Sequence, residues 1–239
     1  MQLLVSVADA SEGRAALLGG ADVIDAKDPR QGALGAVRPE VLRELRAAVG
    51  AARPLSAALG DAGPPLLVEC RARTAARLGT TFVKVGFRGA AAVSQAHRRA
   101  AAARRGAGER TRVVLVAYAD WPRANSLGPG PLLELAVEIG AAGVLLDTMA
   151  KDAGLFMLLD PTTVGEWVAA AHAAGRLAGL AGSLRGTDFA TARALGADLV
   201  GVRGAACVGG RTGRVSRGRV AALSALARAA PPLAVTALV

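Results

Sequence analysis

Three residues stand apart by type. The 239-residue chain carries 29 basic side chains, and only Lys27, Lys84 and Lys151 are lysines; the rest are arginine. An arginine guanidinium stays protonated in proteins, whereas a lysine ammonium can lose its proton and attack a carbonyl. In a composition that replaces lysine almost everywhere, the survivors mark positions where an amine is required. Their neighbours fit such a role. Asp25 stands two residues before Lys27 in "ADVIDAKDP", Asp147 stands four before Lys151 in "LLDTMAKD", and Lys84 lies in the apolar run "TFVKVGF". A free lysine is neutral in only about one molecule in 2,500 at pH 7. Burial and a second ammonium lower its pKa by up to about 3–5 units. Convergent lysines would do this to one another, with Asp25 and Asp147 as counter-charges, orienters or proton shuttles.

The elements that must position these residues alternate along the chain. Near-continuous apolar runs predict strands at Leu3–Val7, Val23–Lys27, Leu55–Leu59, Phe82–Gly86, Val113–Ala117, Gly143–Asp147, Leu177–Ala181 and Leu199–Arg203. Helical patterns follow each, with proline near several starts (Pro39, Pro131, Pro161) and glycine after several ends (Gly19, Gly79, Gly140, Gly175, Gly196). Strands buried on both faces belong to parallel sheets covered by helices. Eight such units predict a single-domain (β/α)8 TIM barrel. A doubly wound open sheet is the alternative, but it would usually place a Gly-rich dinucleotide turn after its first strand, where "SVADASEG" stands. The apolar tail from about residue 231, "PPLAVTALV", is unassigned; it would dock on the barrel or on a neighbouring subunit, which leaves a homo-oligomer open.

In this fold, sites collect where strands end at their C-terminal side, and inward residues of alternate strands share a layer. Lysines on strands 2, 4 and 6 then converge on one rim, with Asp25 and Lys27 on the same face of strand 2. Strands 7 and 8 add Gly182 and Ser183 in "LAGS" and Arg203 and Gly204 in "VGVRGAAC". Loops after those strands often bind phosphate. The combination predicts a phosphorylated carbonyl substrate.

Composition bounds other readings. The net charge of +10 invites a nucleic-acid partner, but the arginines are scattered and aromatics make up only 3%, too few for base-stacking platforms. A basic protein also concentrates small anions. Cys70 and Cys207 lack metal-ligand spacing, and they predict free thiols in a reducing cytoplasm. His97 and His172 fall in Ala-rich helical stretches and predict surface filler. No apolar run spans a membrane, and "MQLLVSVADASEG" does not read as a signal peptide. A metal is not expected.

The segments "LLVSV", "GGADVIDAKDPRQGALGA", "FVKVGF", "AYAD", "LLDTMAKD", "LAGS" and "VGVRGAAC" run in order over about residues 1 to 210. Together they make the chain resemble the (5-formylfuran-3-yl)methyl phosphate synthase family, also called 4-(hydroxymethyl)-2-furancarboxaldehyde-phosphate synthases. The resemblance implies a lysine-dependent lyase of the (β/α)8 class without metal or organic cofactor. Such an enzyme joins two molecules of glyceraldehyde 3-phosphate into a phosphorylated furan aldehyde, losing one phosphate and water. The product feeds methanofuran-type cofactors. By resemblance, Lys27 is the Schiff-base lysine, Lys84 the second essential lysine acting as proton acceptor, and Asp25, Asp147 and Lys151 supporting catalytic residues. Two positions depart from the family's usual residues: Asp28 stands for asparagine and Arg185 for lysine. "VGGRTGRVSRGR", after Cys207, is only loosely similar. The residues alone leave two other readings open: a Schiff-base aldolase on a different phosphosugar, and a basic nucleic-acid-binding protein.

Overall fold

The eight apolar runs form strands whose faces are both covered, so each is almost wholly buried. They are β1 (Gln2–Val7), β2 (Val23–Ala26), β3 (Leu55–Ala58), β4 (Phe82–Val85), β5 (Arg112–Tyr118), β6 (Gly143–Asp147), β7 (Leu177–Leu180) and β8 (Leu199–Val202). All neighbours pair in parallel, and β1 pairs with both β2 (Ser6 opposite Asp25) and β8 (Leu4 opposite Gly201). The sheet is therefore a closed eight-stranded barrel, and the open-sheet alternative falls. The structure is a computed structural model, and it describes residues 1–229. The apolar tail expected to dock from about residue 231 lies outside the described residues.

The helices are α1 (Ala10–Leu18), α2 (Pro39–Val49), α3 (Pro65–Arg77), α4 (Val93–Ala107), α5 (Trp121–Ala124), α6 (Pro129–Glu138), α7 (Leu155–Leu158), α8 (Pro161–Ala173), α9 (Asp188–Ala194) and α10 (Arg217–Arg228). Alanine on their inner faces lets them lie close to the barrel: Ala16, Ala72, Ala100, Ala136 and Ala171 are fully buried. Helices α3 and α4 pack tightly against each other. A Cβ on Gly106 would lie 2.3 Å from the Glu69 carbonyl oxygen, so no side chain fits there.

Several small elements escape the periodic pattern. They are α5, α7, 3-10 turns at Pro29–Gln31 and Gly204–Ala206, and a hairpin of β9 (Cys207–Val208) with β10 (Arg214–Val215). Each is too short to show a hydrophobic period. The loop after β2 matters most. Its Ala33 and Leu34 are buried against Ala58, Val116, Tyr118, Leu145 and Ala181. It covers part of the barrel mouth and leaves the remainder open as the cavity described next.

Candidate active site

Lys27, Lys84, Asp147 and Lys151 line one cavity of about 460 Å³, together with Gly182, Ser183, Arg185, Arg203, Gly204 and Arg211. That volume is ordinary for a small-molecule site. Strand parity explains the convergence. Ser6 and Asp25 are opposite in register, Lys84 lies two strands on, and all three point inward: Asp25 Oδ2 accepts from Ser6 Oγ at 2.8 Å and from Lys84 Nζ at 2.7 Å. Asp25 is wholly buried and its Oδ1 has no partner among the described residues. β2 ends at Ala26, so Lys27 is the first residue past the ladder, where the chain turns over the mouth.

Asp147 ends β6 and Lys151 follows one turn later. Lys151 Nζ donates to Asp147 Oδ1 at 2.8 Å and to the Thr148 carbonyl. Asp120, at the start of α5, fixes this loop: its two oxygens accept from Met149 N at 2.7 Å and Ala150 N at 2.9 Å. Burial pushes both site carboxyls upward, but the ammoniums outweigh it. Asp25 is held below the ordinary carboxylate range by Lys84 and Lys27, and Asp147 by Lys151 and Lys27.

Lys27 is different. Each buried carboxylate is already bound to another lysine, and no hydrogen bond or ion pair holds Lys27 Nζ among the described residues. Burial lowers its pKa, Asp147 opposes this, and Lys84 and Lys151 lower it further, to about 7. About half of the Lys27 side chains are therefore neutral amines at pH 7. The arrangement is one uncommitted, desolvated amine beside two lysine–aspartate pairs.

The loop after β7 supplies unpaired donors. Gly182 and Ser183 both adopt the left-handed conformation, with φ of 94° and 53°. A Cβ at position 182 would meet Thr148 Cγ2 at 2.8 Å, so glycine is needed there. A left-handed serine is uncommon and costs energy, and such strain clusters at functional sites. Neither backbone N–H has a protein acceptor among the described residues.

Arg203 corrects the expectation of a phosphate contact. Its side chain borders the cavity, but all five of its donors face protein acceptors. Nε donates to Arg211 O at 3.0 Å; Nη1 to Ser6 O at 3.1 Å and to Glu12 Oε2; Nη2 to Glu12 Oε1 at 3.2 Å and to Gly213 O at 2.8 Å. The bond it makes is a buried fork with Glu12, which ties β1, α1 and the hairpin after β8 together. Sequence reasoning missed it because Glu12 lies 191 positions away and looks like an ordinary polar residue of a first helical turn. Arg203→Ala should therefore act on stability. Removing one partner of a buried pair costs about 3–5 kcal/mol, which in a domain of this size lowers Tm by roughly 6–20 °C. Thermal denaturation checks this; an unchanged Tm with a raised KM would restore the phosphate role.

The remaining residues fall outside the cavity. Cys70 is exposed and Cys207 buried, and both are free. His97 pairs with Glu138 at 3.3 Å and His172 with Asp198 at 2.9 Å, each partly exposed. Among the described residues no cluster of His, Cys, Asp and Glu would hold a metal, and no helix is long and apolar enough to cross a membrane. Arg211 and Ser6 line the cavity although sequence reasoning did not single them out; Arg211 belongs to the segment after Cys207 that resembles the family only loosely.

Solved barrels share the fold: phosphoribosyl anthranilate isomerase from Thermus thermophilus has a TM-score of 0.61 at 16% identity, covering 95% of this chain and 98% of that one. KGPDC from Streptococcus mutans has a TM-score of 0.62 at 16% identity, covering 94% and 96%. Closer in sequence, the (5-formylfuran-3-yl)methyl phosphate synthase of Methanopyrus kandleri is 41% identical over 218 residues, covering 89% of this chain and 92% of that protein. That of Methanosarcina mazei is 36% identical over 217 residues, covering 89% and 93%. The sequence model described as 4-HFC-P synthase matches residues 3–224. With this family match over residues 3–224 and relatives of this identity over most of the chain, the chain belongs to the (5-formylfuran-3-yl)methyl phosphate synthase family of enzymes.

Proposed function

We propose that this chain is a Schiff-base lyase that condenses two molecules of glyceraldehyde 3-phosphate to 4-(hydroxymethyl)-2-furancarboxaldehyde phosphate. The observation that carries the reading is Lys27: a buried amine with a pKa of about 7, bound to neither neighbouring carboxylate. An amine that must attack a carbonyl needs both properties.

The steps follow from the residues present. One glyceraldehyde 3-phosphate first isomerises to dihydroxyacetone phosphate, its C2 proton passing to C1 through the Lys84–Asp25 pair, where Asp25 has a free oxygen to receive it. Lys27 Nζ adds to the C2 carbonyl of this ketose, and loss of one water gives the iminium. The same pair takes the C2 proton of the second, aldose molecule, and the enolate expels its phosphate by breaking the C3–O bond. The terminal carbon of the enol so formed attacks the iminium carbon, forming the new C–C bond and the branched skeleton of the product. Lys151 and Asp147 take and return the protons as the Lys27 amine is eliminated and the double bond forms. The ketose C1 hydroxyl then closes on the adjacent ketone, and loss of the second water completes the furan. From two triose phosphates the balance is one furan aldehyde phosphate, one inorganic phosphate and two waters, with no net oxidation. The backbone N–H groups of Gly182, Ser183 and Gly204, with Arg185 at the rim, are the donors for one substrate phosphate. The furan product suits methanofuran-type cofactor synthesis.

The test is incubation with glyceraldehyde 3-phosphate, following a furan-aldehyde ultraviolet band and released phosphate together. A sugar phosphate product without phosphate release would point to an ordinary aldolase instead. The same assay reads the amine. Because kcat/KM reports ionisation in the free enzyme, it should rise with pH through about 7 and level off above, where Lys27 is neutral. Below that value it should fall roughly tenfold per pH unit. A plateau reached only above about pH 9 would show that Lys27 keeps an ordinary lysine pKa.

A further inference from the structure

We propose that Arg211 forms a second anion subsite in this cavity, holding the phosphate of the second triose; this rests on the two-triose reading above. Six cationic side chains line the cavity: Lys27, Lys84, Lys151, Arg185, Arg203 and Arg211. Lys84 is neutralised by Asp25, Lys151 by Asp147 and Arg203 by Glu12. Lys27 is the nucleophile. Arg185 and Arg211 remain, neither with a carboxylate partner among the described residues. A reaction that brings two phosphate dianions into one cavity needs a separate cation for each.

The two arginines stand on different loops. Arg185 follows the Gly182–Ser183 turn after β7. Arg211 is carried on the hairpin after β8, and its guanidinium reaches the loop after β2. There Nη1 donates to Pro29 O and Nη2 to Gly32 O at 2.6 Å. These carbonyls occupy two of its five donors and leave three for an anion. They also fix the guanidinium plane before any ligand arrives, so little is lost in ordering it. Burial lowers the Arg211 pKa while Asp147 opposes this, which places Arg211 close enough to the catalytic carboxylate to feel its field. The loop it grips begins with Lys27 itself. A phosphate on Arg211 is thus seated beside the nucleophile, where the second triose must arrive.

The experiment separates this proposal from the reading it rests on. Lys27→Met, which cannot form the imine, is titrated with dihydroxyacetone phosphate by calorimetry, alone and combined with Arg211→Ala. Two sites are expected in the first protein and one in the second; equal stoichiometry overturns the proposal. In parallel, Arg211→Ala with an intact Lys27 is treated with borohydride and one triose phosphate. The reduced adduct should form at the wild-type level, while KM for furan formation rises about 10- to 150-fold, the range of one charge-assisted hydrogen bond. Arg211→Lys should recover part of that loss. An unchanged KM, or adduct and turnover lost together, would make Arg211 only a clasp between loops. If the wild type forms neither adduct nor furan, the two-triose reading fails, and the calorimetric stoichiometry still decides whether Arg211 holds an anion.

Discussion

Lys27→Arg is expected to form no borohydride-reducible adduct with triose phosphate and to lose turnover by on the order of 10⁴-fold or more, as removal of a covalent nucleophile does elsewhere. The substitution keeps the charge and most of the length. What it removes is the neutral amine, since a guanidinium does not deprotonate in a protein. Lys27 has about half of its population in that form at neutral pH, because burial and the ammoniums of Lys84 and Lys151 outweigh Asp147 and Asp25. In the wild type, mass spectrometry of the reduced protein should find the adduct on Lys27 alone. An adduct on Lys84 would reverse the roles of the two lysines. Retained turnover in Lys27→Arg would show that charge is all the position supplies.

The legibility of this site followed the range of the physical signals. The barrel was visible because each strand is buried on both faces and therefore reads as an apolar run, bounded by helices with proline starts. The lysine rim was visible because parity is a local property: Asp25 and Lys27 share a face whatever surrounds them. The pairing of Lys84 with Asp25 also follows from alternate strands sharing a layer, although the partner spans 59 positions. Arg203 shows where such reasoning stops. Its position at the end of β8 was legible, but its partners come from Ser6, Glu12 and the hairpin carbonyls of Arg211 and Gly213. A side chain with five donors takes its role from what satisfies them, and backbone carbonyls of an irregular loop leave no trace in sequence. The same holds for Arg211, whose anchors are carbonyls of Pro29 and Gly32. The 3-10 turns and two-residue strands that place these carbonyls are below the length at which periodicity carries information.

The three lysines should also differ in how well arginine replaces them. Lys84 sits inside the barrel, bonded at 2.7 Å to an aspartate with no exposure. Lys84→Arg preserves that ion pair, so folding should survive. Asp25 takes the α-proton, and Lys84 can give up a proton of its own and regain it as the pair relays protons; a guanidinium cannot, so kcat should fall by about 10²–10⁴-fold, the usual contribution of a positioned acid–base group, with a much smaller change in KM. Lys84→Met is a different experiment: it strands Asp25 as an unpaired buried carboxylate, which costs about 3–5 kcal/mol and confuses stability with chemistry. Lys151 lies past its strand end, with its side chain 21% exposed, and spends its donors on Asp147 and on the Thr148 carbonyl and hydroxyl. Arginine can make the same bonds, so Lys151→Arg should stay within roughly tenfold of wild-type kcat, whereas Lys151→Ala frees Asp147 and should lose most activity by removing a charge-assisted bond. The ranking in kcat is thus Lys151→Arg above Lys151→Ala and well above Lys84→Arg. Steady-state kinetics on the three proteins measures it, with melting temperatures taken alongside because Lys151→Ala also leaves buried Asp147 without its ion pair. Near-wild-type turnover in Lys84→Arg would mean that this position supplies only charge to Asp25, and Asp25 would then take and return the α-proton alone.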